Sequence, residues 1–204
     1  MLVEAIDLAS PGAASRLKSS LDARSVPIDI LLNNAGYGLQ GDFLETPIER
    51  TGDMIQLNIT TLTELTYLFG RDMATRRSGH ILLLASVLAF QALPSYAAYA
   101  ATKAYVLSLG EALHDELRPH GVVVTTLSPG HTATGFDAAA GATPSAFLRF
   151  ITMKPRPVAA LGIRALLQGK DMVVAGLSNK MATFSNRLTP RSMQRTTMKK
   201  IMGT

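Results

Sequence analysis

Ile81-Leu82-Leu83-Leu84-Ala85-Ser86 reads as a buried strand that ends on a serine, and thirteen residues after Ser86 comes Tyr99-Ala100-Ala101-Thr102-Lys103 in a helical pattern. Tyr99 and Lys103 are four apart, so on a helix both side chains leave the same face. Tyr96 and Tyr105 have Ala100 and Leu109 at that spacing, so of these three tyrosines only Tyr99 has a cation one turn on. A strand-end serine facing a Tyr/Lys pair is equipped to move a proton onto or off an oxygen. A phenol titrates near 10. An ammonium about 4 Å away at an effective dielectric near 20 supplies on the order of 4 kcal/mol, enough to bring it near neutrality.

Working outward, Ile28-Asp29-Ile30-Leu31-Leu32 and Val122-Val123-Val124-Thr125-Thr126 are two further strands. Their nearly continuous apolar and β-branched character suits strands covered on both faces. Helical patterns separate them, and Met172-Val173-Val174-Ala175 follows another at Val158 to Leu167. Alternating strands and helices predict an α/β fold with a parallel sheet. Residues 2–8 read as a short strand, broken by Ser10-Pro11-Gly12, with a helix from Ala13 to Leu21. Thr46-Pro47-Ile48-Glu49 predicts a capped helix start. That helix runs to about Arg77 with Ile55, Leu62, Leu65 and Phe69 inward, and Gly52 and the threonines of 60–63 predict a kink near Asn58. Tyr99, Lys103, Val106, Gly110, Leu113 and Leu117 form a stripe on the next helix, where Gly110 predicts close approach by another helix.

These residues resemble the classical short-chain dehydrogenase/reductase family. Asn33-Asn34-Ala35-Gly36, Leu57-Asn58, Ser86, Tyr99 with Lys103, Pro129-Gly130 with Thr132, and Asp7-Leu8 are similar to its markers and occur in family order. The resemblance implies a Rossmann-like, doubly wound parallel sheet in a single domain over residues 1–204, with residues 179–204 a basic tail. It also implies an oxidoreductase that interconverts a carbonyl and an alcohol with NAD or NADP. Asn58, Ser86, Tyr99 and Lys103 would be catalytic: Tyr99 exchanging the proton, Ser86 holding the oxygen, Lys103 lowering the tyrosine pKa and binding ribose, Asn58 anchoring a relay water. Asp7, Leu8, Asn34, Ala35, Gly36, Pro129, Gly130 and Thr132 would contact cofactor, together with Tyr99 and Lys103. A homo-oligomer through paired helices is expected. Residues 135–154 would form a mobile lid, and Leu93, Phe136, Phe147 and Phe150 an apolar substrate pocket. His131 is read as an exposed loop histidine.

The family's opening strand, glycine-rich Thr-Gly-x-x-x-Gly-x-Gly turn, helix and second strand have no counterpart in these residues. The expectation is an N-terminally truncated fold, arising from a real truncation or a mis-assigned start. Residues 2–8 would then lie unpaired, move beside residues 28–32, or pair with another chain. The alternative function is a noncatalytic Rossmann-like remnant serving as a binding or oligomerisation module.

The chain has no cysteine, and His80, His114, His120 and His131 show no metal-ligand spacing, so no metal is expected. The acids near Met1 do not suit a signal peptide, and no apolar run has the length of a spanning helix, so a cytoplasmic location is the default. The net charge of +5 is concentrated in Lys180, Arg187, Arg191, Arg195, Lys199 and Lys200. No nucleic-acid partner is expected. The tail is read as a solvated basic segment, with weak contact to a membrane surface or another polyanion left open.

Overall fold

In a computed structural model the described residues are 2–143, 145–194 and 196. Their sheet has four strands: β1 (Ile30–Asn33), β2 (Gly79–Leu84), β3 (Val122–Ser128) and β4 (Met172–Val174). They lie in the order β1-β2-β3-β4, every pair parallel, with Leu31 opposite Ile81, Leu82 opposite Thr125 and Thr126 opposite Met172. The connecting helices are α1 (Ala13–Ala23), α2 (Ile48–Ile55), α3 (Leu62–Arg76) and α4 (Ala97–Leu117). Two short helices, α5 (Phe136–Ala140) and α6 (Ala146–Phe150), precede α7 (Pro155–Leu167), and α8 (Leu177–Leu188) follows β4.

Strand alternation builds both layers. On one face Ile81, Leu83, Val122 and Val124 pack with Leu62, Leu65, Phe69 and Met73 of α3 and with Val106 and Leu107 of α4. On the other, Leu82, Leu127 and Val173 pack with Val158, Ala165 and Leu166 of α7. The doubly wound parallel architecture is therefore present.

Four local expectations are corrected. Residues 2–8 form no strand: Glu4 pairs with Arg24 at 2.6 Å, and Asp7 holds the turn into α1 by accepting from the Ala9 N–H at 3.0 Å. Of the three arrangements, this is the unpaired one, and β1 is a sheet edge with Ile30 and Leu32 nearly half exposed. The capping box does not form, because the Thr46 hydroxyl donates backward to the Asp42 carbonyl at 2.8 Å. Ile55 is exposed, whereas Leu62, Leu65 and Phe69 are buried. Gly110 faces the sheet rather than another helix, since a Cβ there would stand 2.0 Å from Thr126 Oγ1 and 3.2 Å from Leu83 Cδ1. The expected kink near Asn58 takes the form of a π-helical segment, Gln56–Thr61, joining α2 to α3. The wider turn carries Asn58 into the interior, an arrangement common at functional sites.

Candidate active site

The carboxyl ends of β1, β2 and β3 open on one cavity of about 920 Å³, within the size range of small-molecule sites. Open α/β sheets bind ligands at this edge. Ser86 stands just beyond β2, buried, with its hydroxyl accepting from the Leu88 N–H at 3.1 Å. Tyr99 and Lys103 enter from the first turns of α4, both buried, and the lysine Nζ lies 5.8 Å from the tyrosine ring centroid. The ammonium donates to the Leu84 carbonyl at 2.8 Å, which leaves its other two donors uncommitted to that contact. Asn34, Gly36, Pro129, Gly130 and Thr132 line the same cavity.

Asn58 lies behind this wall rather than in it. Its Nδ2 donates to the Tyr37 carbonyl at 2.9 Å and to Thr102 Oγ1 at 3.2 Å, while its Oδ1 accepts from the Tyr37 N–H at 3.3 Å. One side chain thus holds both backbone polar groups of Tyr37, in the loop after β1, against α4. Gly36 passes so close that a Cβ would sit 2.8 Å from Asn58 Oδ1 and 3.6 Å from Lys103 Nζ. The adjacent Asn33 points the other way, donating to Thr66 Oγ1 of α3 at 2.9 Å.

Asp7, Leu8 and Ala35 do not line the cavity. Asp7 is exposed at its turn, and the Leu8 carbonyl is taken by Thr61 Oγ1 at 2.8 Å. The expected pocket residues also divide. Phe136 packs on Tyr99 with ring centroids 5.2 Å apart. Leu93 is buried beneath Tyr96 and Tyr99, Phe150 is exposed, and the Phe147 side chain lies outside the described residues. His131 is not an exposed loop histidine: one ring nitrogen is 2.8 Å from Thr152 Oγ1 and the other 3.0 Å from the Asp137 carboxylate. It ties the segment after β3 to α5 and to the residues before α7, so contacts from His131 reach both ends of the stretch 135–154.

Burial moves the two central groups against their charged forms. The Tyr99 phenol is pushed up from its ordinary value by burial, partly opposed by its hydrogen bond with Ser86. This corrects the expectation that Lys103 lowers it: the lysine stands toward the ring, its head held by a carbonyl, and desolvation dominates. Lys103 itself is pushed down to about 8 by burial. Tyr96 is raised to about 12 by burial and by the nearby Asp137 carboxylate.

The lysine gives a pH prediction. An unfolded lysine keeps its proton to about pH 10.4, but folded Lys103 keeps it only to about 8. Between those values the unfolded chain binds more protons, so stability rises with pH; below 8 the buried charge opposes folding by on the order of a few kcal/mol. Lys103→Met is expected to flatten the rise, as measured by urea unfolding of both proteins at about pH 7.5 and about pH 9.5.

The family model for short chain dehydrogenase matches residues 1–145. The chain belongs to the short-chain dehydrogenase family. Among curated family members, it is 31% identical over 137 residues to the probable oxidoreductase EphD of Mycobacterium tuberculosis, covering 67% of this chain and 23% of that one. It is 30% identical over 131 residues to dehydrogenase/reductase SDR family member 7B of Bos taurus, covering 64% and 40%. The chain thus spans less than half the length of these two relatives. Among solved structures, a short-chain dehydrogenase from Sphingobium yanoikuyae in complex with NADPH superposes with a TM-score of 0.75 at 27% identity, covering 89% of this chain and 71% of that one.

As a short-chain dehydrogenase, the chain shows side chains around the site that sequence reasoning had passed over. Tyr96 donates to Gln40 Oε1 at 3.1 Å, and both line the cavity. Tyr96 carried a signal, an aromatic one turn before Tyr99, but Gln40 carried none. Ser178, Asn179, Ala182, Thr183, Ser185 and Asn186 of α8 form a further wall. The basic charge of that region drew attention away from its short polar face.

Proposed function

We propose that this short-chain dehydrogenase site interconverts a carbonyl and an alcohol with a nicotinamide dinucleotide. The observation that carries the reading is the convergence of Ser86, Tyr99 and Lys103 on one cavity, from a strand end and a helix face. The residues suit the nicotinamide and ribose half of such a cofactor. Asn34, Gly36, Pro129, Gly130 and Thr132 would flank it; a Cβ at Gly36 would fill the cradle, and the two uncommitted donors of Lys103 suit ribose hydroxyls. A glycine-rich turn for the pyrophosphate is not among these residues. A bound nicotinamide dinucleotide supplies or accepts the hydride. Burial holds Tyr99 protonated at neutral pH, poised to donate to the substrate oxygen, and Ser86 orients that oxygen. The single O–H of Ser86 then serves the substrate oxygen, and the Tyr99 oxygen left after donation regains its proton by way of a relay water. Asn58 is the anchor proposed for the relay water, through the remaining lone pair of Oδ1, since both its N–H donors are engaged. Leu88, Phe136, Leu148 and Val158 make much of the wall apolar, which favours an apolar carbonyl substrate.

A thermal-shift titration with NADH and, separately, NADPH tests the binding half of this reading. At 100 times its dissociation constant a ligand of the folded state adds about 2.7 kcal/mol, and a rise in Tm with one of the two is expected. Unchanged melting with both would favour the second reading, a noncatalytic binding or oligomerisation module, which the absence of Asp7, Leu8 and Ala35 from the cavity wall supports.

A further inference from the structure

Helix α8 carries its polarity inverted relative to a helix that closes a core. Toward the cavity it presents Asn179, Thr183 and Asn186, each of which donates within the protein: Asn179 Nδ2 to the Ala175 carbonyl at 2.7 Å, Thr183 to the Asn179 carbonyl at 3.0 Å and Asn186 to Gln91 Oε1 at 3.0 Å. Outward it presents Leu177, Met181, Phe184 and Leu188, spaced four, three and four along one stripe and each 62–77% exposed. Lys180 and Arg187, both exposed, run along one flank of the stripe, Arg191 follows, and no Asp or Glu comes after Asp171 in the sequence. The segment that shares the cavity with α8 also ends in an outward apolar side chain, Phe150, which is 88% exposed.

We propose that α8 lies flat on an anionic phospholipid bilayer, with its apolar stripe at the headgroup boundary and Lys180 and Arg187 against lipid phosphates. An apolar face flanked by cations is the pattern of interfacial helices. With 12 residues α8 is too short to cross a bilayer, so its own contact is peripheral. Charge argues against a second copy as the occupant: a two-fold interface would set the same stripe against itself and bring these cations together with no acid of α8 between them. The proposal does not depend on the chemistry of the cavity.

Co-sedimentation of the full chain with vesicles decides it, without cofactor or turnover. Binding to equal parts phosphatidylglycerol and phosphatidylcholine is expected to exceed binding to phosphatidylcholine alone by about tenfold or more, given two cations near the surface, and to weaken as salt is raised. Phe184→Asp with Leu188→Asp is expected to abolish it. Lys180→Glu with Arg187→Glu, on exposed sites, is expected to lower it while the far-UV circular dichroism is kept, and decides the matter if the first variant does not fold. Equal binding to the two vesicle types, binding to neither, or wild-type binding by a folded variant overturns the proposal. So does a wild-type dimer that Phe184→Asp makes monomeric while vesicles bind neither protein, which assigns the stripe to a second copy.

Discussion

Replacing Tyr99 with phenylalanine is expected to lower turnover of an apolar ketone by about 10²- to 10⁴-fold, the contribution of a positioned proton donor. The rest of the site explains why the loss is confined to chemistry. The ring of Tyr99 packs on Phe136 and Tyr96, and those contacts survive when only the hydroxyl is removed. Burial has raised the phenol, so the wild-type group keeps its proton at neutral pH, and the variant has none to give. The Tm shift caused by reduced cofactor should remain, because Lys103, Asn34 and Gly36 are untouched. The check is the initial rate of reduced-nicotinamide absorbance loss for both proteins, with their melting curves measured beside it. A variant within a few-fold of wild type would remove Tyr99 from the chemistry.

The largest stability effect is expected at Gly110, where α4 rests on β3. A Cβ there would meet Thr126 Oγ1 at 2.0 Å and Leu83 Cδ1 at 3.2 Å, with both neighbours in the sheet interior. Overpacking of this kind costs about 1–3 kcal/mol, and Gly110→Val belongs at the upper end because it adds a branched side chain to a filled site. At about 2–4 °C per kcal/mol for a chain of this size, the melting temperature should fall by about 6–12 °C. Because Tyr99 and Lys103 ride on the same helix, cofactor binding should weaken with it. Urea unfolding of the variant measures the first effect, and cofactor titration below its transition measures the second.

Most of the architecture was legible because it is written in local pattern. The apolar runs at Ile81–Leu84 and Val122–Thr126 needed burial on both sides, and the Tyr99/Lys103 spacing fixed one face of α4 onto the sheet edge. The readings that changed depend on partners distant in the chain. Residues 2–8 carry strand-like residues, but pairing depends on a neighbour, and here Glu4 and Leu8 are held by Arg24 and Thr61 instead. Thr46 had a capping sequence, yet its hydroxyl found the Asp42 carbonyl first. The direction of the Tyr99 shift could not be read from the lysine's spacing, because that spacing says nothing of how deeply both groups are buried or that Leu84 takes the ammonium. Nor did composition reveal that α8 would turn its polar side inward. Asn179 and Asn186 became wall residues only once β4 had placed that helix over the cavity.

The most direct measurement supplies the chain with NADH or NADPH carrying deuterium at the transferable C4 position, in both stereochemical forms, and an apolar ketone. The alcohol is then recovered for mass spectrometry. One deuterium is expected on the carbinol carbon with one form of one cofactor, and that product is expected to be lost in Tyr99→Phe. A folded protein that yields no labelled alcohol with any of the four donors, or yields it equally without the Tyr99 hydroxyl, would contradict the assignment of this cavity to carbonyl reduction.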